Sequence, residues 1–259
     1  MSNLELSQIT EDYRINMPEN EFGSATFLLN YHHDSKDMPL ELRPLFEQAD
    51  IVFHEQVAWS PMYLNNLNRI AQADPRTSAR TEIYQHRLTE LIAGSRVLQA
   101  CWDVPAGHLS AQKYLRAVET TRPPVKKEEF EAYYDISIGR DKLALRTIGR
   151  QIDKAVTERK IPESPRILVI AGLSHLLLAN AFKIEAPDEV TITSPFGEDI
   201  TMSAPAEYVK QRLEGERVID IPQLAARAVH EEILALKGVR PSHSIAKRAK
   251  MDSFPTPGY

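Results

Sequence analysis

Short apolar runs separated by helix-like stretches constrain this chain more than any other feature. Ala25-Thr-Phe-Leu-Leu29 and Ile51-Val-Phe53 flank a segment in which Leu42, Leu45, Phe46 and Ala49 fall at i, i+3, i+4 and i+7, one face of a helix. A strand, a helix and a second strand in so short a stretch form a βαβ unit, whose crossover makes the two strands parallel. Asp37 is the candidate cap of that helix with Pro39 in its first turn, and Pro44 delays or bends it. The pattern resumes after Pro165 with the strand Arg166-Ile-Leu-Val-Ile-Ala171, the turn at Gly172 and a helix to about Lys183. Val190-Thr-Ile-Thr-Ser194 reads as a further strand. The expected fold class is α/β, with a mostly parallel or mixed central sheet flanked by helices.

Between these halves, residues 60–160 read as a helical insertion. Ser60-Pro61 is a capping serine followed by a proline suited to the first helical position. Tyr84, Leu88, Leu91, Ser95, Leu98 and Trp102 repeat at helical spacing, and Leu145, Ile148, Ile152 and Val156 form a later stripe. No strand is expected there. Beyond Ser194, Pro195-Phe-Gly197 is a turn candidate leading to a hairpin strand Asp199–Ser203, and a helix over Pro205–Leu213 follows. Arg217–Asp220 is a short strand candidate, and Ala225, Val229, Ile233 and Leu236 share a helical face. The expected organisation is a polar lead over 1–20, a single α/β domain over 21–237, and a basic, loosely ordered tail over 238–259.

Three apolar strands run directly into residues that bind metals or move protons, and this is the functional signal. His33 follows the first, Glu55 the second and His175 the strand that ends at Gly172. In a parallel sheet the carboxyl ends of the strands share one edge, so residues distant in sequence converge there. Two imidazoles and a carboxylate suit a divalent ion such as Mn, Co or Zn with a position left for water, whose pKa then falls far enough to make it a nucleophile near neutral pH. Because neighbouring strand residues point to opposite faces, His32 and His54 are separated from His33 and Glu55.

Arg140-Asp141 adds a further element. Asp141 stands at i, i+4, i+7 and i+11 with Leu145, Ile148 and Ile152, so it begins a face directed inward. An arginine at a site edge holds a carboxylate or an oxyanion, and the aspartate orients a histidine or binds metal itself. The plainer alternatives are a helix N-cap for Asp141, a surface charge for Arg140, and polar strand ends for His33 and Glu55.

Asn30-Tyr-His-His33 after a strand, Glu55 after the next, Arg140-Asp141 at a helix start and Gly172-Leu-Ser-His175 after a late strand together resemble the TraB/PrgY/GumN family, grouped with the TIKI, ChaN and erythromycin-esterase proteins. The resemblance spans about residues 25 to 180. It implies an α/β fold and a metal-dependent hydrolase or peptidase, with His33, Glu55 and His175 at the centre and Arg140 and Asp141 in support. This chain departs from the pattern at Asn30, where the family has glycine.

Hydrolysis of a peptide, amide or ester bond is thus the leading expectation, on a small-molecule or peptide substrate. A second is a metal-independent, esterase-like enzyme with histidine as general base. A third, favoured by Asn30, is a non-catalytic binding or signalling module. The net charge of −5 argues against nucleic acid as the main partner. Cys101 is the only cysteine, which excludes an intramolecular disulfide and points to a reducing, cytoplasmic setting. No secretion signal or membrane segment is expected, and a homo-oligomer is open. P-loop, dinucleotide-type glycine turn and serine elbow motifs are not found.

Overall fold

The computed structural model of the protein describes residues 22–30, 40–73, 86–109, 111, 127–172 and 175–195. Five strands, β1 (Ser24–Asn30), β2 (Ile51–His54), β3 (Leu98–Cys101), β4 (Arg166–Gly172) and β5 (Val190–Thr193), form one sheet in the order β3-β2-β4-β1-β5. Every pairing is parallel. The α/β class expected from the strand and helix spacing is what the chain adopts.

The helices are α1 (Arg43–Gln48), preceded by a 3-10 turn over Leu40–Leu42, α2 (Pro61–Gln72), α3 (His86–Ile92), α4 (Lys127–Thr157) and α5 (Leu176–Glu185). Pro44 sits in the first turn of α1, where its missing N–H costs nothing, so it delays the helix rather than breaking it. Ser60 caps α2 as expected, its hydroxyl accepting from the Tyr63 N–H at 3.2 Å.

Alternation along the strands sorts the core into two layers. Phe27, Leu29, Phe53, Val169 and Ala171 pack with Ile148 and Ile152 of α4 and Phe182 of α5. Leu28, Val52, Leu168 and Ile170 pack with Phe46 of α1, Leu67 of α2 and Leu91 of α3. The chain therefore moves from β1 to β2 to β3 with α1, α2 and α3 on one face, and from β3 to β4 to β5 with α4 and α5 on the other. Reversing direction and face together keeps every crossover of the same hand, the rule for parallel sheets. The reversal also opens a crevice between β2 and β4. These neighbours are continued by helices on opposite faces, the place where such sheets bind ligands.

One expectation is corrected. The stretch 60–160 is not wholly helical: β3 lies within it, and Leu98 and Trp102 belong to the strand and its exit rather than to a helical stripe. The helix ends before Gly94, which takes φ 72°, and Arg96 also has a positive φ, 60°, so the chain turns sharply into the strand. The outer edge of β3 is partly covered. The Asn68 side chain accepts from the Gln99 N–H at 2.9 Å and donates to the Gln99 carbonyl at 2.9 Å, pairing with the edge as a strand would.

Arg140 and Asp141 also differ from the expected helix start. They lie in the middle of α4 rather than at its start, so Asp141 is not an N-cap. The inward face inferred from its spacing does hold, with Asp141, Leu145, Ile148 and Ile152 all buried. The hairpin strand, the helices and strand expected beyond residue 195, the polar lead and the basic tail lie outside the described residues. Among the described residues, no helix is long and apolar enough to cross a membrane.

Candidate functional site

Glu55 and His175 are the residues that follow β2 and precede α5, so they stand at the β2/β4 crevice. Four of the five residues expected to form a site are brought together there. Glu55 Oε1 accepts from Arg140 Nη2 at 2.7 Å and lies 3.1 Å from His175 Nε2, while Glu55 Oε2 accepts from the Gly172 N–H at 2.7 Å. His175 Nδ1 contacts Asp141 Oδ1 at 2.5 Å. The remaining residue, His33, lies outside the described residues.

Local structure explains the convergence. Alternation turns His54 to the face of α2 and leaves Glu55 on the face covered by α4. Gly172 ends β4 with its N–H directed at Glu55, so the carboxylate of one strand exit closes the end of the neighbouring strand. Arg140 and Asp141 are adjacent on α4 and both buried. One reaches Glu55 and the other reaches His175, so backbone and side chains close a ring.

Asp103, which is not among the residues expected from the sequence, joins the site. It follows β3 by one turn and is buried; its Oδ2 accepts from Arg140 Nη2, and its Oδ1 lies 3.4 Å from Arg140 Nε. The signal was available: Val97-Leu-Gln-Ala-Cys-Trp102 is an apolar run after Gly94-Ser95 that ends in an acid, the same pattern as Ile51-Val-Phe-His-Glu55. Trp102 closes the site from below. Its ring and that of His175 make an edge-type contact at 4.9 Å between centroids, and the Arg140 guanidinium carbon lies over the indole 5.8 Å from its centre, a cation facing an electron-rich surface.

The five groups form a chain of alternating charge, from Asp103 through Arg140, Glu55 and His175 to Asp141. Burial alone would strip the proton from His175, but the Glu55 and Asp141 carboxylates on either side outweigh it and raise the ring to about 9. Burial raises the Asp141 carboxyl, against the opposing pull of His175 and Arg140. For Arg140, burial works against the charge and Glu55 and Asp103 more than restore it. Both members of the Asp141 and His175 pair hold protons more strongly than usual, the aspartate because it is buried and the histidine because carboxylates flank it. Among the described residues Asp141 Oδ2 is buried without a hydrogen-bond partner, and such an acceptor costs free energy unless a cation, a donor group or water meets it.

The donor types fit a divalent ion. Glu55 Oε1 and His175 Nε2 are 3.1 Å apart, the spacing of neighbouring donors on one ion with bonds of about 2.1 Å, and a carboxylate behind the other ring nitrogen is the usual support of a ligand histidine. With His175 neutral, the three carboxylates and Arg140 leave a charge of −2 that such an ion would balance. Among the described residues no three His, Cys, Asp or Glu side chains form a ready cage. Cys101 is buried on the other face, and burial pushes its thiol up, so it is an inert core residue.

No family model matches the chain, and neither a curated protein nor a solved structure matches it.

Proposed function

We propose that the chain is a hydrolase that cleaves a peptide, amide or ester bond of a small-molecule or peptide substrate, acting in the cytoplasm. The observation that carries this reading is the meeting of Glu55 and His175, 3.1 Å apart, at the crevice between β2 and β4 where the winding of the chain across the parallel sheet reverses. The resemblance of Asn30–His33, Glu55, Arg140-Asp141 and Gly172–His175 to the TraB/PrgY/GumN pattern supports the same class of reaction.

In this reading His33, Glu55 and His175 would hold a divalent ion, whose chemistry when bound would be to acidify a water and polarise the carbonyl. Asp141 accepts a hydrogen bond from the Nδ1–H of His175 and so directs the other nitrogen to the centre, and Arg140 limits the swing of Glu55. His175 must lose its Nε2 proton to serve. Because its carboxylate neighbours raise the ring to about 9, metal uptake and hydrolysis would rise together as pH goes from 7 toward 9.

A second reading is favoured by one specific observation: both ring nitrogens of His175 already contact carboxylates. There the protonated ring is the acid. Glu55 takes a proton from the attacking water, the water oxygen bonds to the carbonyl carbon, and His175 Nε2 gives its proton to the leaving oxygen or nitrogen as the scissile bond breaks. Glu55 then returns its proton to His175 across the 3.1 Å contact. Activity in this case needs no metal and falls as pH rises through about 9.

Metal analysis of protein purified without an affinity tag, together with hydrolysis of ester and peptide panels at pH 6 to 10, separates the two. Stoichiometric metal and activity rising toward pH 9 support the first; chelator-resistant activity falling above pH 9 supports the second. No turnover on either panel, with His175→Gln indistinguishable from the parent, rejects both in favour of a binding module.

A further inference from the structure

We propose that Asp103 is the positioning residue of this site: it fixes the Arg140 guanidinium from behind, so that one nitrogen alone reaches Glu55. The role rests on the reading of Glu55 and His175 as the reacting groups, whereas the geometry behind it does not. Asp103 meets the Nε and Nη2 edge of Arg140 with both oxygens, whereas Glu55 meets only Nη2. A two-point, planar contact sets the orientation of a guanidinium; a one-point contact leaves it free to turn.

Asp103 is itself held without help from Arg140. Its Oδ1 accepts from the N–H of Val104 at 2.7 Å, and its carbonyl accepts from Trp59 Nε1 at 2.7 Å. The preceding Trp102 donates Nε1 to the Ile170 carbonyl at 2.9 Å and its main-chain N–H to His54 at 3.2 Å. Beyond the strands, the exits of β2 and β3 continue side by side, with Ala58 N–H donating to Val104 at 2.8 Å and Ala106 N–H to Trp59 at 2.9 Å. The segments carrying Glu55 and Asp103 are therefore one rigid rim, and the distance between the two carboxylates is set before α4 delivers Arg140 between them.

What this prevents is specific. Arginine and glutamate left to themselves favour a fork in which two nitrogens take both oxygens. Here Glu55 Oε2 receives the Gly172 N–H and Oε1 faces His175. A fork would draw the carboxylate away from both. By occupying the Nε and Nη2 edge, Asp103 keeps Glu55 across the crevice from its own strand exit and against the imidazole.

The test uses the full-length chain. In nitrogen-15 spectra, the Arg140 Nε–H is assigned by its loss in Arg140→Lys, and the Trp102 indole N–H reports the surrounding fold. Asp103→Ala is expected to abolish the slowly exchanging Arg140 signal and Asp103→Asn to retain part of it, with the indole signal unmoved in both. A second arm asks whether the site rebinds free guanidinium: Arg140→Gly is expected to bind it at millimolar concentration, and the added Asp103→Asn change to weaken binding about tenfold or more. If Arg140→Gly does not fold, the spectra of the Asp103 variants decide alone. An unchanged Arg140 signal in Asp103→Ala overturns the proposal. For turnover, Asp103→Asn is expected to lower kcat with KM held. Loss of Arg140 ordering in a protein that hydrolyses nothing leaves Asp103 in its place and removes the hydrolase reading instead.

Discussion

Two buried histidines sit at strand exits on opposite faces of the same sheet, and they are held in opposite charge states. His54, 3% exposed, ends β2 on the side of α2; His175, 0% exposed, precedes α5 on the side of α4. His54 Nε2 faces Gln99 Oε1 at 2.7 Å, and the Gln99 amide nitrogen donates to the Val97 carbonyl, so the oxygen is the atom turned to the ring. A neutral partner does little against desolvation, and His54 falls to about 4. His175 has carboxylates at both nitrogens and rises to about 9. Burial is the same; the charge of the neighbours decides. One face of this sheet is built as an ordinary polar core and the other as an electrostatic site.

The sharpest way to break this comparison is to neutralise the centre of each network. Glu55→Gln leaves Arg140 and His175 facing each other without the carboxylate between them. The expected cost is about 3–5 kcal/mol of stability by urea denaturation, together with loss of hydrolysis. Gln99→Leu leaves the His54 Nε2 proton buried without an acceptor, at an expected cost of about 1–3 kcal/mol and no effect on hydrolysis. Equal costs, or a larger one for Gln99→Leu, would mean that the charged cluster is no more than another polar core.

Stability against pH sharpens it further, because the two rings contribute with opposite sign. The His175 pKa is raised in the folded protein from 6.5 to about 9, so its contribution is complete below pH 6.5 and is lost as pH rises through 9. The His54 pKa is lowered to about 4, so its contribution is complete above pH 6.5 and is lost as pH falls toward 4. Each is worth on the order of a few kcal/mol at its favourable limit. Thermal melts of chelator-treated protein from pH 4 to 10 are expected to fall on both sides. His54→Met should flatten the acid limb only, and His175→Gln the alkaline limb only. An alkaline limb that survives in His175→Gln would remove the imidazolium from the centre of the site.

How much of this could be read in the sequence follows from the same chemistry. Strands rich in β-branched and aromatic residues, Ala25–Leu29, Ile51–Phe53 and Ile167–Ile170, announce themselves, and a parallel sheet then requires their exits to converge. That was enough to bring Glu55 and His175 together, and the helical spacing of Asp141 with Leu145 and Ile148 was enough to turn it inward. β3 escaped because Leu98-Gln-Ala-Cys101 contains no β-branched residue, while Leu98 and Trp102 fall at helical spacing from Leu88 and Leu91. Losing the strand meant losing its exit, and with it Asp103. The mid-helix position of Arg140 escaped for a different reason: the apolar stripe of Leu145, Ile148 and Ile152 begins at Asp141, yet α4 starts at Lys127, well before it.

The smallest effect tests whether backbone strain also differs between the two sides. Ala58, three residues after Glu55, has φ 55°, and Arg96, in the turn that leads into β3, has φ 60°. Left-handed backbone costs a residue with a side chain about 1–2 kcal/mol, whereas glycine adopts it freely but gives up about 0.5–1 kcal/mol of unfolded-state entropy. Ala58→Gly and Arg96→Gly are therefore each expected to gain up to about 1 kcal/mol in urea denaturation. Their effects on turnover should part. Ala58 is pinned by its N–H to the Val104 carbonyl within the rim that spaces Glu55 from Asp103, so loosening it is expected to lower kcat. Arg96 is tied by its N–H to the Ala71 carbonyl at the end of α2, away from the rim, and its glycine variant should keep full activity. Were both variants equally active, the strain at Ala58 would be a feature of the turn alone, and the rigidity of the rim would have to come from the two indole hydrogen bonds.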